Sequence, residues 1–281
     1  MIDPITSAEP DGRFRLPSSP ITIAREVTSS RELLLALTRR LLRVRYAHHR
    51  LGIVWAFINV LVPLAVLLVL RRHIGHVPKG VSGFAFLYTG LMCWQFFSTA
   101  VNDASSSLVN DSNIAKRIDA AREVIPLARI AVAGFTAVIT ATTLLVFGML
   151  HGDYDPAPSA LIALPLVALG LAALAVGVSL LLAPLVLFSR DLSQVIGLVL
   201  QFGLFYSPIL FPLTDVPVRY RLGYVAVVPV GGYIEALRDV LLFHEGIPWV
   251  YVAVSAGVSC AVLLAGMVVF RRVLPEVIDL A

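Results

Sequence analysis

The sequence predicts an all-α membrane protein with six transmembrane helices, an N-terminal amphipathic helix lying in the interface, and an external re-entrant segment between spans five and six. Three observations carry that expectation. The first is composition: of 281 residues 58% are hydrophobic and 14% charged, and the mean hydropathy is +0.86. A soluble domain is about half apolar and about a quarter charged. The 22 basic and 18 acidic residues are too few to coat a globule of this length. That argues against a soluble enzyme, a disordered chain or a secreted disulfide scaffold. The second is that the charges cluster and leave long uncharged runs between them. The third is that the basic residues are divided unevenly between the two sides those runs define.

Residues 1–30 are read as a cytoplasmic tail, because they hold Pro, Ser and charges but no apolar core of a signal peptide. Ser29 and Glu32 have capping-box spacing and open an amphipathic helix over 31–50. Leu34, Leu37, Leu41 and Val44 recur at three and four residues and share one face. Glu32, Arg39, Arg40 and Arg43 lie opposite, and Arg45 breaks the pattern. A basic amphipathic helix just before a span belongs in the cytoplasmic interface, where anionic lipid attracts it.

The membrane domain is expected over 51–272, with uncharged runs at 51–70, 84–102, 130–152, 156–189, 192–214 and 246–270. The first, at 1.5 Å per residue, extends about 30 Å, the thickness of the hydrocarbon core. The fourth is longer than a bilayer needs, and Pro165 and Pro184 are the expected places to bend it. Residues 222–234 are also uncharged but too short to span, and they contain Pro229, Gly231 and Gly232. Such a segment suits a re-entrant piece, followed by a helix carrying Glu235, Arg238 and Asp239. Residues 273–281 are read as a cytoplasmic tail. With both termini inside, 16 basic residues face the cytoplasm and 6 face out, as the positive-inside rule requires.

The chemistry is mostly defined by what is missing. Cys93 and Cys260 lie far apart in apolar stretches and are expected to be two buried free thiols. The six His have no HExxH spacing, and no GxSxG elbow occurs. A P-loop needs Lys followed by Ser or Thr, whereas Lys79 is followed by Gly and Lys116 by Arg. The chain therefore has no P-loop motor of its own. Ion-coupled transport leaves charges within spans, and here they are nearly bare. Asp103 and Arg129 come nearest and are read as interface charges. Neutral polar groups do occur inside: Asn59, Gln95 and Gln201, and Thr136, Thr140 and Thr143 on one face. They serve helix contacts or face a wet lumen. Aromatics gather at Trp94, Phe96 and Phe97 and at Phe202, Phe205, Tyr206 and Phe211. Such faces belt a bilayer interface or stack on the apolar faces of sugars.

Several ordered pieces then carry a resemblance. They are Arg43-Val-Arg-Tyr46 and Leu51-Gly-Ile-Val-Trp-Ala56, Gly90-Leu-Met-Cys-Trp-Gln-Phe-Phe97, Ser105-Ser-Ser-Leu-Val-Asn110, Asn113-Ile-Ala-Lys-Arg117, Arg122-Glu-Val-Ile-Pro-Leu127, Ser189-Arg-Asp-Leu192, Tyr206-Ser-Pro-Ile-Leu-Phe-Pro212 and Ile234-Glu-Ala-Leu-Arg238. In this order and spacing, from about residue 31 to 272, the chain resembles the membrane permease of ABC-2-type polysaccharide exporters (O-antigen, capsule and teichoic acid), with a type V exporter-like transmembrane domain. It departs from the family's usual pattern at Val60, Ala121 and Val228, where prolines or an Asn-Pro pair are frequent.

The resemblance implies a homodimer carrying two copies of an ATP-binding ABC subunit in a bacterial inner membrane, both termini cytoplasmic. ATP and Mg would be held by that partner, with no cofactor or metal and no catalytic residue in this chain. The cargo would be a lipid-linked glycan; membrane lipids are the other contact, and nucleic acid is not a partner. Asn113, Lys116, Arg117, Arg122, Glu123, Arg190 and Asp191 would couple to the ATPase. Trp55, Asn59, Tyr88, Trp94, Gln95, Phe97, Gln201, Phe205 and Tyr206 are candidates for the glycan path, and Pro229, Gly231, Gly232, Tyr233, Glu235 and Arg238 for an outer gate. Two alternatives stay open. An ABC-2 exporter of a drug or small lipid would lack the interfacial helix and the Trp-Gln-Phe-Phe piece. A membrane enzyme acting on lipid-linked sugars would need paired acids at an interface, and only Asp153 and Asp155 offer them.

Overall fold

A computed structural model describes residues 30–47, 54–74, 81–111, 122–151 and 156–280. Among these the chain is helical, joined by turns and without a strand. The helices are α1 (Arg31–Ala47), α2 (Val54–Ile74), α3 (Gly83–Ser105), α4 (Val124–His151), α5 (Ala160–Phe188), α6 (Leu192–Tyr206), α7 (Val218–Val227), α8 (Pro229–Leu241) and α9 (Trp249–Leu280). A further helical turn, Ser107–Asn110, follows α3.

In α1 the apolar face does what its spacing predicts. Leu37 is buried against Val124 and Ala128 of α4, with Leu33, Leu34 and Leu41 beside it. Arg39, Arg40 and Arg43 are exposed. Val44, expected inside, is 54% exposed. Arg45 breaks the apolar pattern because it turns inward to a carboxylate: its guanidinium donates to Asp103 at 3.1 Å. Ser29 of the expected capping box lies outside the described residues.

Among the described residues four helices are long and apolar enough to cross a membrane: α3, α4 over Val124–Thr142, α5, and α9 over Trp249–Leu274. Two apolar stretches are shorter, Phe57–Leu70 in α2 and the whole of α6. The long fourth run is one helix of 29 residues that continues through both Pro165 and Pro184. The fifth run is not one helix to residue 214, because α6 stops at Tyr206. Ser207 is extended (φ −82°, ψ 153°), as a residue before proline prefers, and Pro208 has no N–H to continue the ladder. Helix α4 starts before the expected run, taking in Arg129, which is paired with Asp111. The last helix continues past the apolar span to Leu280.

The segment 222–234 is mostly helical. The chain forms two short helices broken at Val228, and Pro229 opens the second, where a missing N–H costs nothing. Gly231 and Gly232 sit inside α8 because bare backbone is needed there. A Cβ on Gly232 would lie 2.3 Å from the Ser255 hydroxyl, and one on Gly231 3.1 Å from the Pro208 ring.

The helices alternate in direction, so contacts collect at two ends. At one, the start of α3, the end of α6, the start of α5 and helix α8 meet: Ala157 donates its N–H to the Val240 carbonyl, and Arg238 reaches Phe86 and Pro208. At the opposite end, Ile125 of α4, Leu180 and Ala183 of α5 and Phe270 and Leu274 of α9 form a buried cluster with Leu108. Helices α5 and α9 approach closest: a Cβ on Gly177 would lie 2.6 Å from the Leu263 nitrogen, and one on Gly266 2.4 Å from the Gly177 carbonyl oxygen. Small residues that let two backbones touch are the usual packing device where lipid removes the hydrophobic drive between helices.

Candidate functional site

An open-sided groove of about 630 Å³ lies between α2, α3 and α6. Its floor is a polar stripe on α3. Gln95, Ser98, Thr99 and Asn102 follow at three- and four-residue spacing and face it together. Gly197, Gln201 and Phe205 form the matching stripe on α6, and Val62, Pro63 and Val66 of α2 give the apolar wall. Trp94 also lines the groove. Its indole is 4% exposed, edge-on to Tyr206 with ring centres 6.1 Å apart. Gly203 makes that position available, since a Cβ there would lie 2.3 Å from the Trp94 ring.

Of the nine path candidates, Trp94, Gln95, Gln201 and Phe205 therefore line the groove. Tyr206 stands at its aromatic edge, about half exposed. Asn59 and Gln95 line a small adjoining cavity that also receives Thr136 and Thr140. Tyr88 and Phe97 do not belong. Tyr88 is buried and donates to the Thr140 carbonyl, and Phe97 packs behind Trp94 at 5.7 Å between ring centres. The Trp55 side chain lies outside the described residues. Sequence reasoning missed Ser98, Thr99, Asn102 and Gly197. The signal was present as the period of the α3 stripe, which continues Gln95 turn by turn.

The six gate candidates are brought together, but as core. Gly231, Gly232, Tyr233, Glu235 and Arg238 are buried, and Pro229 half-buried. Tyr233 shares a hydrogen bond with Ser259 at 3.0 Å and fits only because Gly170 has no side chain. Arg238 is 0% exposed. It donates to the carbonyls of Pro208 at 2.6 Å, Ile209 at 2.9 Å and Phe86 at 3.1 Å. Its guanidinium lies 3.5 Å from the Phe86 ring centre, and the Glu235 carboxylate is 3.9 Å away. A Cβ on Gly90 would lie 2.8 Å from the guanidinium. The helix break after Tyr206 frees the carbonyls that solvate this charge, and a planar guanidinium suits several acceptors at once.

At the opposite end the coupling candidates divide. Asn113, Lys116 and Arg117 lie outside the described residues. Arg190 and Asp191 are exposed in the turn before α6. Glu123 is 4% exposed and accepts a hydrogen bond from Arg271 of α9, so it faces the protein interior. Arg122 beside it is half-buried. Asp103 pairs with Arg45, and Arg129 with Asp111 at 2.6 Å, so neither is a merely solvated interface charge. Cys93 is buried as expected, whereas Cys260 is exposed on the outward face of α9.

A helical chain with several membrane-length apolar helices has the architecture of a multi-pass membrane protein. The ABC-2 type transporter family profile matches residues 32–242, three quarters of the chain, and the chain belongs to that family. Among curated proteins it is similar to the O-antigen export system permease protein RfbA of Klebsiella pneumoniae, 27% identical over 247 residues, covering 86% of this chain and 92% of that protein. The protein of the same name from Myxococcus xanthus is 27% identical over 201 residues, covering 70% of this chain and 74% of its own.

Proposed function

We propose that this chain is the transmembrane subunit of an exporter that moves a lipid-linked polysaccharide from the cytoplasmic to the outer face of a bacterial inner membrane. It acts as a homodimer, and two copies of a separate subunit bind ATP and Mg and supply the energy. Helices α2, α3, α4, α5, α6 and α9 are the six spans. The turn-rich segment after Tyr206 completes the fifth, and α7 with α8 forms the external re-entrant piece. The termini, Asp103 and Glu123 lie on the cytoplasmic side.

The observation that carries this reading is the groove. It joins aromatic faces (Trp94, Phe205) to neutral amides and hydroxyls (Gln95, Ser98, Thr99, Gln201). Sugars present apolar C–H faces and hydroxyl edges, and these walls match both without a strongly held charge. The curated relatives named as O-antigen export permeases point the same way. Arg190 and Asp191 remain the described candidates for touching the ATPase. The test is co-expression with the neighbouring ATPase and glycan genes. Surface glycan is expected from the wild type and a several-fold loss from Trp94→Ala or Gln201→Leu at equal membrane insertion. Robust ATP hydrolysis by the purified chain alone, or unchanged glycan in both variants, overturns the reading.

A further inference from the structure

A second cavity, about 470 Å³, lies beneath α1, between it and the α3–α4 region. Its walls are partly apolar: Leu37, Leu41 and Val44 from α1, and Ile125, Ala128 and Val132 from α4. Arg40, Arg45 and Arg129 also line it, against two carboxylates, Asp103 and Asp111. The Arg129–Asp111 pair is tight at 2.6 Å with side chains 25% and 14% exposed. The Arg45–Asp103 pair is longer at 3.1 Å and more exposed, 35% and 28%. The second pair, single-donor and about one third exposed, is the weaker of the two. Arg40 is exposed and has no ion-pair partner among the described residues. The cavity therefore carries one cation more than it neutralises.

Position gives this surplus a meaning. Asp103 lines both this cavity and the large groove, and Arg45 lines this cavity and the small one that contains Gln95. The Arg45–Asp103 pair thus stands between the space under α1 and the groove. A phosphate presents several acceptor oxygens to guanidinium groups and competes with a single carboxylate for Arg45. Apolar walls beside the guanidiniums accommodate the first part of a hydrocarbon chain, and basic pockets between helices at the cytoplasmic side take lipid head groups.

We propose that this cavity receives the phosphate head of the lipid anchor carrying the exported glycan. Arg40, Arg45 and Arg129 bind the head, and Asp103 is the group it displaces from Arg45, which opens the way to the groove. The inference rests on the export reading above, and it names how the cargo's lipid end is recognised.

The test uses the full chain with its ATPase partner in nanodiscs. The probes are a sugar-free polyprenyl diphosphate, the matching polyprenol, and phosphatidylglycerol at equal mole fraction. Wild type is expected to bind the diphosphate about tenfold or more better than the polyprenol, as befits charge-assisted hydrogen bonds. Arg45→Gln is expected to lose most of that preference, and Asp103→Asn to keep or increase it. Both variants break the same ion pair, so a purely structural pair predicts equal losses. Equal losses overturn the proposal, as does no preference over polyprenol or equal binding of phosphatidylglycerol. Glycan export by the wild type, measured in cells, separates the two ideas. Export without diphosphate preference removes only this inference. Arginine-dependent diphosphate binding without glycan export removes the export reading and leaves the lipid-phosphate site.

Discussion

Gly177 and Gly266 bring α5 and α9 backbone to backbone, whereas α2 and α6 stand apart across a groove of about 630 Å³. The molecule also holds charge in two ways. Where α8 meets the start of α3 and the end of α6, the Arg238 guanidinium is enclosed completely and solvated by main-chain carbonyls from two stretches, Phe86 and Pro208–Ile209. At the foot of the open side, Arg45 and Asp103 are both about one third exposed. A charge enclosed by fixed carbonyls ties α8 to the starts and ends of its neighbours. A charge paired with one half-exposed carboxylate can change partner. The difference separates a scaffold from a working surface, although both consist of equally apolar helices.

The largest expected effect lies in the scaffold. Arg238→Ala leaves Glu235 buried without its cation and four carbonyl contacts unmade. It should cost about 3–5 kcal/mol, the usual size of breaking a buried charge network. Thermal unfolding in detergent should show a large fall in Tm with little folded protein recovered. Gly90→Ala tests the same cage from the other side, since its Cβ would meet the guanidinium at 2.8 Å. Next comes Gly177→Leu, which must force the two helix backbones away from each other. It should cost about 3 kcal/mol, at the upper end of overpacking. Gly257→Ala on the same α9, with nothing within 4 Å, is the silent control. An unchanged Tm in Gly177→Leu would mean α5 and α9 are not locked, and the contrast with the groove side would lose its basis.

A smaller effect on folding, with a larger one on transport, is expected at Gly203→Ala. The new methyl pushes on the Trp94 ring, which borders open space and can move aside. The stability cost should stay near about 1 kcal/mol, while surface glycan falls several-fold because the aromatic wall is displaced. If Tm falls as far as in Gly177→Leu, the groove wall is scaffold too.

How much of this was legible in the sequence follows from the same contrast. The long apolar helices could be read because lipid forbids unpaired charge, so the charges mark their ends. The neutral amides Gln95 and Gln201 and the aromatics Trp94 and Phe205, which line the groove, stood out because they are unusual inside apolar runs. The Arg45–Asp103 pair was not, because it joins positions 58 apart that only tertiary packing brings together. Arg238 was legible as a residue of interest but not in its role. Its partners are backbone carbonyls, which every residue has, and no side-chain pattern announces them. The packing of Glu123 was hidden for a related reason: its partner Arg271 is 148 residues away. The end of α6 was encoded locally, in Ser207-Pro208, beneath an uncharged run that continued past it.

The smallest expected effect on the fold comes from the turn before α6. Arg190 and Asp191 are both exposed, and the Asp191 side chain makes no capping hydrogen bond to the helix it precedes. Exposed substitutions away from such features usually stay within about 0.5 kcal/mol, so Arg190→Glu and Asp191→Arg should leave Tm and insertion unchanged. If this turn is where the ATPase pushes, each reversal should nonetheless lower glycan export strongly, because a rim charge steers docking and a like charge opposite it repels. Joining α6 directly, the turn would pass that push to Gly197, Gln201 and Phe205, one wall of the groove. Export at the wild-type level in both reversals would remove the turn as a coupling point. A fall in Tm would show that these charges serve the fold, against their exposure.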